Sequence, residues 1–257
     1  MLLNVNQVFI FMVIMARSIG LFLTAPFFSN RIISRTAKIG LIIWITITLW
    51  FVVPVPKTFM VGAFLPLILV LMQELFIGIM LGTVAELLFA GIKAAGEIIG
   101  MQMALSVAST FDPAEGGQES IITTLYQNIL MILFLIVDGH HLLLVALRKS
   151  YDVLPMFNTW NFAMAGRSMA ELAGGIFAIG ISLAAPIVLV IFLLDFAFGL
   201  VSRVAPQVNV FQLGFQVKPP LGEAVLLLTA PFLVERMVFL LSRTIEELTR
   251  FFYLMHM

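Results

Sequence analysis

Apolar residues fall along this chain in six runs, at about Val5–Phe28, Ile39–Val53, Val61–Ala94, Ile121–Val137, Ile176–Val201 and Ala224–Leu241. Runs of this length predict helices, not strands. A hydrocarbon core of about 30 Å calls for about 20 apolar residues per helix. Two runs miss that length: Ile39–Val53 holds 15 residues before Pro54 and Pro56, and Val61–Ala94 holds 34. The second would make about 50 Å of helix at 1.5 Å per residue. The pattern predicts an all-α protein of hydrophobic helical hairpins in which not every apolar segment is a simple span.

Polar residues inside these runs are the next signal. Arg17 interrupts the first run near its middle, where a lipid-facing arginine costs about 2.5–3.5 kcal/mol, so it is expected to face protein or a polar cavity. In the third run Glu74, Gly78, Gly82, Glu86, Ala90 and Ala94 recur every four residues. Small residues at that spacing let backbones approach closely, and the two acids read either as a proton or cation path or as interface partners of a neighbouring helix. The fifth run follows Gly174-Gly175 and contains Pro186, a helix-kinking residue, and Asp195. A turn at Pro206 makes the fifth and sixth runs a hairpin. The last run contains Pro231 and Glu235-Arg236, then continues as an amphipathic helix through Met237, Leu241, Ile245, Leu248, Phe252 and Met255.

One stretch fits neither lipid nor ordinary solubility. Lys93–Ser120 carries Gly96, Gly100, Met101, Met103, Leu105, Ser106, Phe111-Asp112-Pro113 and Gly116-Gly117, and four of its five charges are acidic. Asp112-Pro113-Ala114-Glu115 is a helix-start signal that Gly116-Gly117 cancels after one turn. The stretch is expected to be a deformable loop held by apolar surroundings. Asp138, His140 and His141 close the fourth run. Two adjacent histidines lack the spacing and the further ligands of a metal site, so a polar cap is expected there.

Composition narrows the class. The chain is 61% hydrophobic and 11% charged over 257 residues, against about 25% charged in soluble domains. It therefore belongs in lipid or in a large apolar assembly. Cysteine is absent, which excludes disulfides and thiolate chemistry. The first 30 residues lack a basic leader and are expected to be retained. Net charge is zero but unevenly spread: residues 1–73 carry five cations and no acid, and residues 74–120 carry six acids against Lys93. Basic residues assigned to alternate connections divide evenly, so the positive-inside rule selects no orientation. No basic, aromatic-interleaved face suggests nucleic acid.

Three motifs resemble one family, FliR, the export-gate subunit of the flagellar type III secretion system, with its counterpart in virulence injectisomes. Ala95-Gly96-Glu97-Ile98-Ile99-Gly100-Met101-Gln102-Met103 with Leu105-Ser106 and Asp112-Pro113 resembles its central signature. Arg203-Val204-Ala205-Pro206-Gln207 with Phe211, Gly214 and Phe215 resembles the second, and Ala25-Pro26 through Lys38-Ile39-Gly40-Leu41 the first connection. Ala104 and Ser34 stand where the family has a glycine and a proline, and Asp195 where a neutral polar residue is commoner.

The resemblance implies a non-enzymatic subunit in the bacterial inner membrane at the flagellar basal body, closing a helical ring of FliP-like and FliQ-like subunits. FlhB-like and FlhA-like components would stand nearby, and unfolded export substrates would pass through. Residues 1–170 would be FliP-like and residues 171–257 a FliQ-like hairpin. An irregular luminal loop near 105–120 would plug the channel, with Met101, Met103, Leu105, Ser106, Phe111, Asp112, Pro113, Gly116 and Gly117 in gating roles. Subunit interfaces would use Arg17, Glu74, Gly78, Gly82, Glu86, Gly96, Gly100, Arg203, Pro206, Gln207, Phe211, Gly214 and Phe215. No catalytic residue, cofactor or metal is implied. The competing reading is a secondary transporter with Glu74, Glu86 and Asp195 as ion sites. An intramembrane hydrolase built on Ser106 and His140 lacks any orienting group.

Overall fold

The computed structural model describes residues 5–29, 33–53, 64–105, 119–157 and 162–256. Every regular element among them is a helix: α1 (Val5–Thr24), α2 (Pro26–Ser29), α3 (Arg35–Val52), α4 (Phe64–Gln102), α5 (Ile121–Ile136), α6 (Gly139–Val153), α7 (Phe162–Val204) and α8 (Val210–His256). Ser34 caps α3, its hydroxyl accepting from the Ala37 amide at 3.3 Å. Asn209 does the same for α8 through the Gln212 amide, at 3.2 Å.

Five helices among the described residues are long and apolar enough to cross a membrane, and α5 with α6 makes a sixth if the broken pair counts as one span. Several exceed any bilayer. With 39, 43 and 47 residues, α4, α7 and α8 reach about 58, 64 and 70 Å at 1.5 Å per residue.

These lengths correct three expectations. Residues 93–102 are helical, so the irregular stretch does not begin at Lys93. Instead α4 runs on through Gly96 and Gly100, which are packing residues. Helix α7 begins before Gly174-Gly175 and continues through Pro186, and α8 begins before Pro219-Pro220 and continues through Pro231. Helix α6 is an element that the apolar runs alone did not isolate. Its mean hydropathy is low, but Leu143, Leu147, Tyr151 and Leu154 recur at helical spacing and all are buried.

The chain divides into two compact units. The first comprises residues 1–87, 135–172 and 241–257. Its core joins Ile10, Val13, Ile14 and Leu21 of α1, Ile77, Leu81 and Val84 of α4, and Leu143, Leu147 and Tyr151 of α6. Helix α3 lies against α1, where Phe11 meets Trp50 edge to face at 5.8 Å. The second unit comprises residues 88–134 and 173–240. Its core joins Leu88, Ile92, Ala95 and Ile99 of α4, Ile122, Tyr126 and Leu130 of α5, Leu183, Ile187 and Ile191 of α7, and Leu233 and Met237 of α8.

Within lipid the hydrophobic effect does not favour helix contact over lipid contact, so close approach and polar pairing hold such helices together. Glycines supply the approach. A Cβ on Gly20 or Gly78 would fall well inside contact distance of backbone across the α1–α4 junction. In the second unit Gly91 and Gly180 do the same for α4 against α7.

Candidate functional site

The polar centre of the first unit is Arg17, fully buried in the middle of α1. Its Nε donates to Glu74 Oε2 of α4 at 2.6 Å, Nη1 donates to Ser150 Oγ of α6 at 2.9 Å, and Nη2 donates to the Leu154 carbonyl at 3.1 Å. The guanidinium also lies 3.9 Å from the centroid of the Tyr151 ring. A buried arginine demands this arrangement, because a charge unmatched in lipid is costly and each N–H needs an acceptor. The acceptors lie 57, 133 and 137 residues away. Arg17 and Glu74 are legible as a polar problem; Ser150, Tyr151 and Leu154 are not, since they sit on, or directly after, the helix that the apolar runs do not isolate.

The four-residue stripe on α4 resolves by geometry. Four residues turn a helix through 400°, so the stripe drifts about 40° per step. Glu74, Gly78 and Gly82 face α1 and are buried: Gly78 meets the backbone of Arg17 and Gly20, and Gly82 meets Thr24 and Ala25. Three steps on, Glu86 is exposed. Further along, Gly96 faces Thr123 of α5, and Gly100 faces Ser120. Of the residues expected at subunit interfaces, Arg17, Glu74, Gly78, Gly82, Gly96 and Gly100 thus have close partners inside this chain.

The end of α4 leads into the central signature. Leu105 N–H donates to the Gly100 carbonyl at 3.0 Å and Ala104 N–H to the Met101 carbonyl at 3.1 Å, with Ala104 at φ 61°. This pair of bonds is a Schellman stop, whose left-handed residue is usually glycine. The glycine that the family resemblance leads one to expect here would take up this backbone freely, whereas alanine sits there under strain. Met101 points outward and is exposed, whereas Met103 is fully buried against Gly222 of α8. Lys93 and Glu119 form an exposed ion pair between α4 and the start of α5. Ser106, Phe111, Asp112, Pro113, Gly116 and Gly117 lie outside the described residues, as does most of the luminal loop expected near 105–120.

The second signature occupies the α7–α8 turn. Arg203, Pro206 and Gln207 are exposed there. Phe211 and Phe215 meet edge to face at 4.8 Å. They line a cleft of about 300 Å³ with Ala104, Asp195, Phe198, Gly199, Ser202, Val210, Gly214 and Lys218. Lys218 Nζ bridges both carboxylate oxygens of Asp195, at 2.7 and 2.9 Å. At the other polar cluster, Asp138 joins His140 and His141, giving three ligand atoms within 4.8 Å. The two imidazoles stack at 4.5 Å, tilted by 30°.

Residues 8–244 match the family described as bacterial export proteins, family 1. The chain belongs to the FliR family of the flagellar export apparatus. It is similar to the flagellar biosynthetic protein FliR of Pectobacterium carotovorum subsp. carotovorum, 34% identical over 219 residues covering 84% of this chain and 82% of the relative. FliR of Escherichia coli strain K12 is 33% identical over 239 residues, covering 90% and 91%. FliR of Bacillus subtilis strain 168 is 29% identical over 246 residues, covering 93% and 92%. The chain is thus a membrane-embedded, all-α component of the flagellar export apparatus.

Proposed function

We propose that this FliR-family chain is a non-enzymatic subunit of the flagellar type III protein export gate in the bacterial inner membrane. It joins FliP-like and FliQ-like subunits to close a helical channel, beside FlhA-like and FlhB-like components, and unfolded substrates pass through that channel. Residues 1–170 correspond in this reading to a FliP-like part and residues 171–257 to a FliQ-like hairpin. The stretch near 105–120 is the luminal plug.

Helix length is the observation that carries the reading beyond family membership. Helices of 39, 43 and 47 residues outrun a core of about 30 Å, which needs about 20 residues, so parts of them must be covered by something other than lipid. Their faces are apolar enough for subunit contact: Phe192, Phe196, Phe211 and Leu228 are all exposed. The transporter reading loses support where Glu74 is occupied by Arg17 and Asp195 by Lys218. Deleting Ala114–Gln118 tests the plug directly. Ion leakage through the closed gate should rise while the complex still assembles; unchanged leakage removes the plug assignment.

A further inference from the structure

Ser120, Thr123 and Tyr126 are buried, at 6%, 0% and 2% exposure, and their hydroxyls have no hydrogen-bond partner among the described residues. They recur every third residue, so they share one side of the α5 start. Five other helical threonines avoid that state. Thr24, Thr46, Thr48, Thr83 and Thr229 each donate to the carbonyl four residues back. Thr123 does not. What faces Ser120 and Thr123 is α4: a Cβ on Gly96 would lie 2.6 Å from Thr123 Cα, and one on Gly100 would collide with Ser120 Oγ. Packing this tight leaves no room for water on that side. A Val at 123 or Phe at 126 would fill nearly the same shape without a stranded hydroxyl. Polar groups at these positions therefore weaken the closed contact.

We infer that the α4–α5 contact at Gly96 and Gly100 is a seam with two positions, closed as seen here and parted so that the three hydroxyls gain hydrogen-bond partners. The glycines permit close apposition, and the hydroxyls limit its stability. The Lys93–Glu119 ion pair crosses the same seam, exposed and hence sensitive to salt. A bistable contact of this kind is how packed helices switch between discrete arrangements.

Amide hydrogen exchange on the assembled complex tests the inference. Thr123→Val and Tyr126→Phe should each slow exchange of residues 96–102 and 121–126 by about tenfold, the effect of relieving one stranded hydroxyl. Exchange in α1 should not change. Glu119→Gln should speed exchange across the seam and abolish its dependence on salt. Tyr126→Phe removes a single oxygen and keeps the test open if the Thr123 variant fails to assemble. Unchanged or faster exchange in the Thr123 and Tyr126 variants overturns the seam, because the hydroxyls would then be satisfied in a fixed contact.

Discussion

Replacing Glu74 by alanine would leave Arg17 charged and buried without its counter-ion. The pair meets at 2.6 Å, with both side chains essentially inaccessible. At an effective dielectric of 20 that separation corresponds to about 6 kcal/mol of gross attraction, from which desolvation of both ions must be subtracted. Measured losses on breaking one side of a buried pair are about 3–5 kcal/mol. Arg17 would retain Ser150 Oγ, the Leu154 carbonyl and the Tyr151 ring, which favours the lower half of that range, about 3–4 kcal/mol. Equilibrium unfolding of Glu74→Ala in mixed detergent against the parent chain reads this directly. The double variant Arg17→Met with Glu74→Leu should recover to within about 1 kcal/mol of the parent, since similar apolar volumes replace buried ions at little cost. A single-variant loss below about 1 kcal/mol would refute the view that this pair organises the first unit.

Gly78→Ala should weaken the first unit by about 2 kcal/mol or more, as expected for overpacking against backbone. Gly40→Ala should be neutral or stabilising by about 0.5–1 kcal/mol, because nothing approaches that position within 4 Å; melting temperatures of the two variants should move in opposite directions or differ clearly. Ala104→Gly should stabilise the end of α4 by about 0.5–1 kcal/mol by relieving the left-handed backbone, visible as slower exchange at the Leu105 amide. Asp195→Asn should cost less than about 1 kcal/mol, since Asp195 is 43% exposed and its pair with Lys218 is screened; export assayed by motility should be nearly unchanged.

Local pattern made much of this fold readable. The long apolar runs became helices, Asp138 marks the end of α5 at φ 55°, and Arg17 in an apolar run required a protein environment. Partners at large sequence separation were not readable. Nothing near Arg17 names Ser150 or Leu154, and α6 lacks the hydropathy that would mark it as a span. Gly96 and Gly100 illustrate a second limit. Glycine serves equally in a loop and in a close helix contact, and only the facing Thr123 and Ser120 tell which. Pro186 and Pro231 lie inside long helices, as their places within apolar runs suggest, and each removes one donor from the ladder. Motif resemblance reached further than periodicity, because Ala104 and the Arg203–Gln207 turn are fixed by backbone geometry that hydropathy does not register.

The central claim is that this chain works as one subunit of a channel built with other small hydrophobic proteins. Affinity purification of the tagged chain from native membranes in mild detergent, with mass spectrometry of the intact particle, tests it most directly. A defined particle holding one copy of this chain with several copies each of FliP-like and FliQ-like proteins is the predicted result. A stable single chain that moves ions or solutes on its own in vesicles would contradict it.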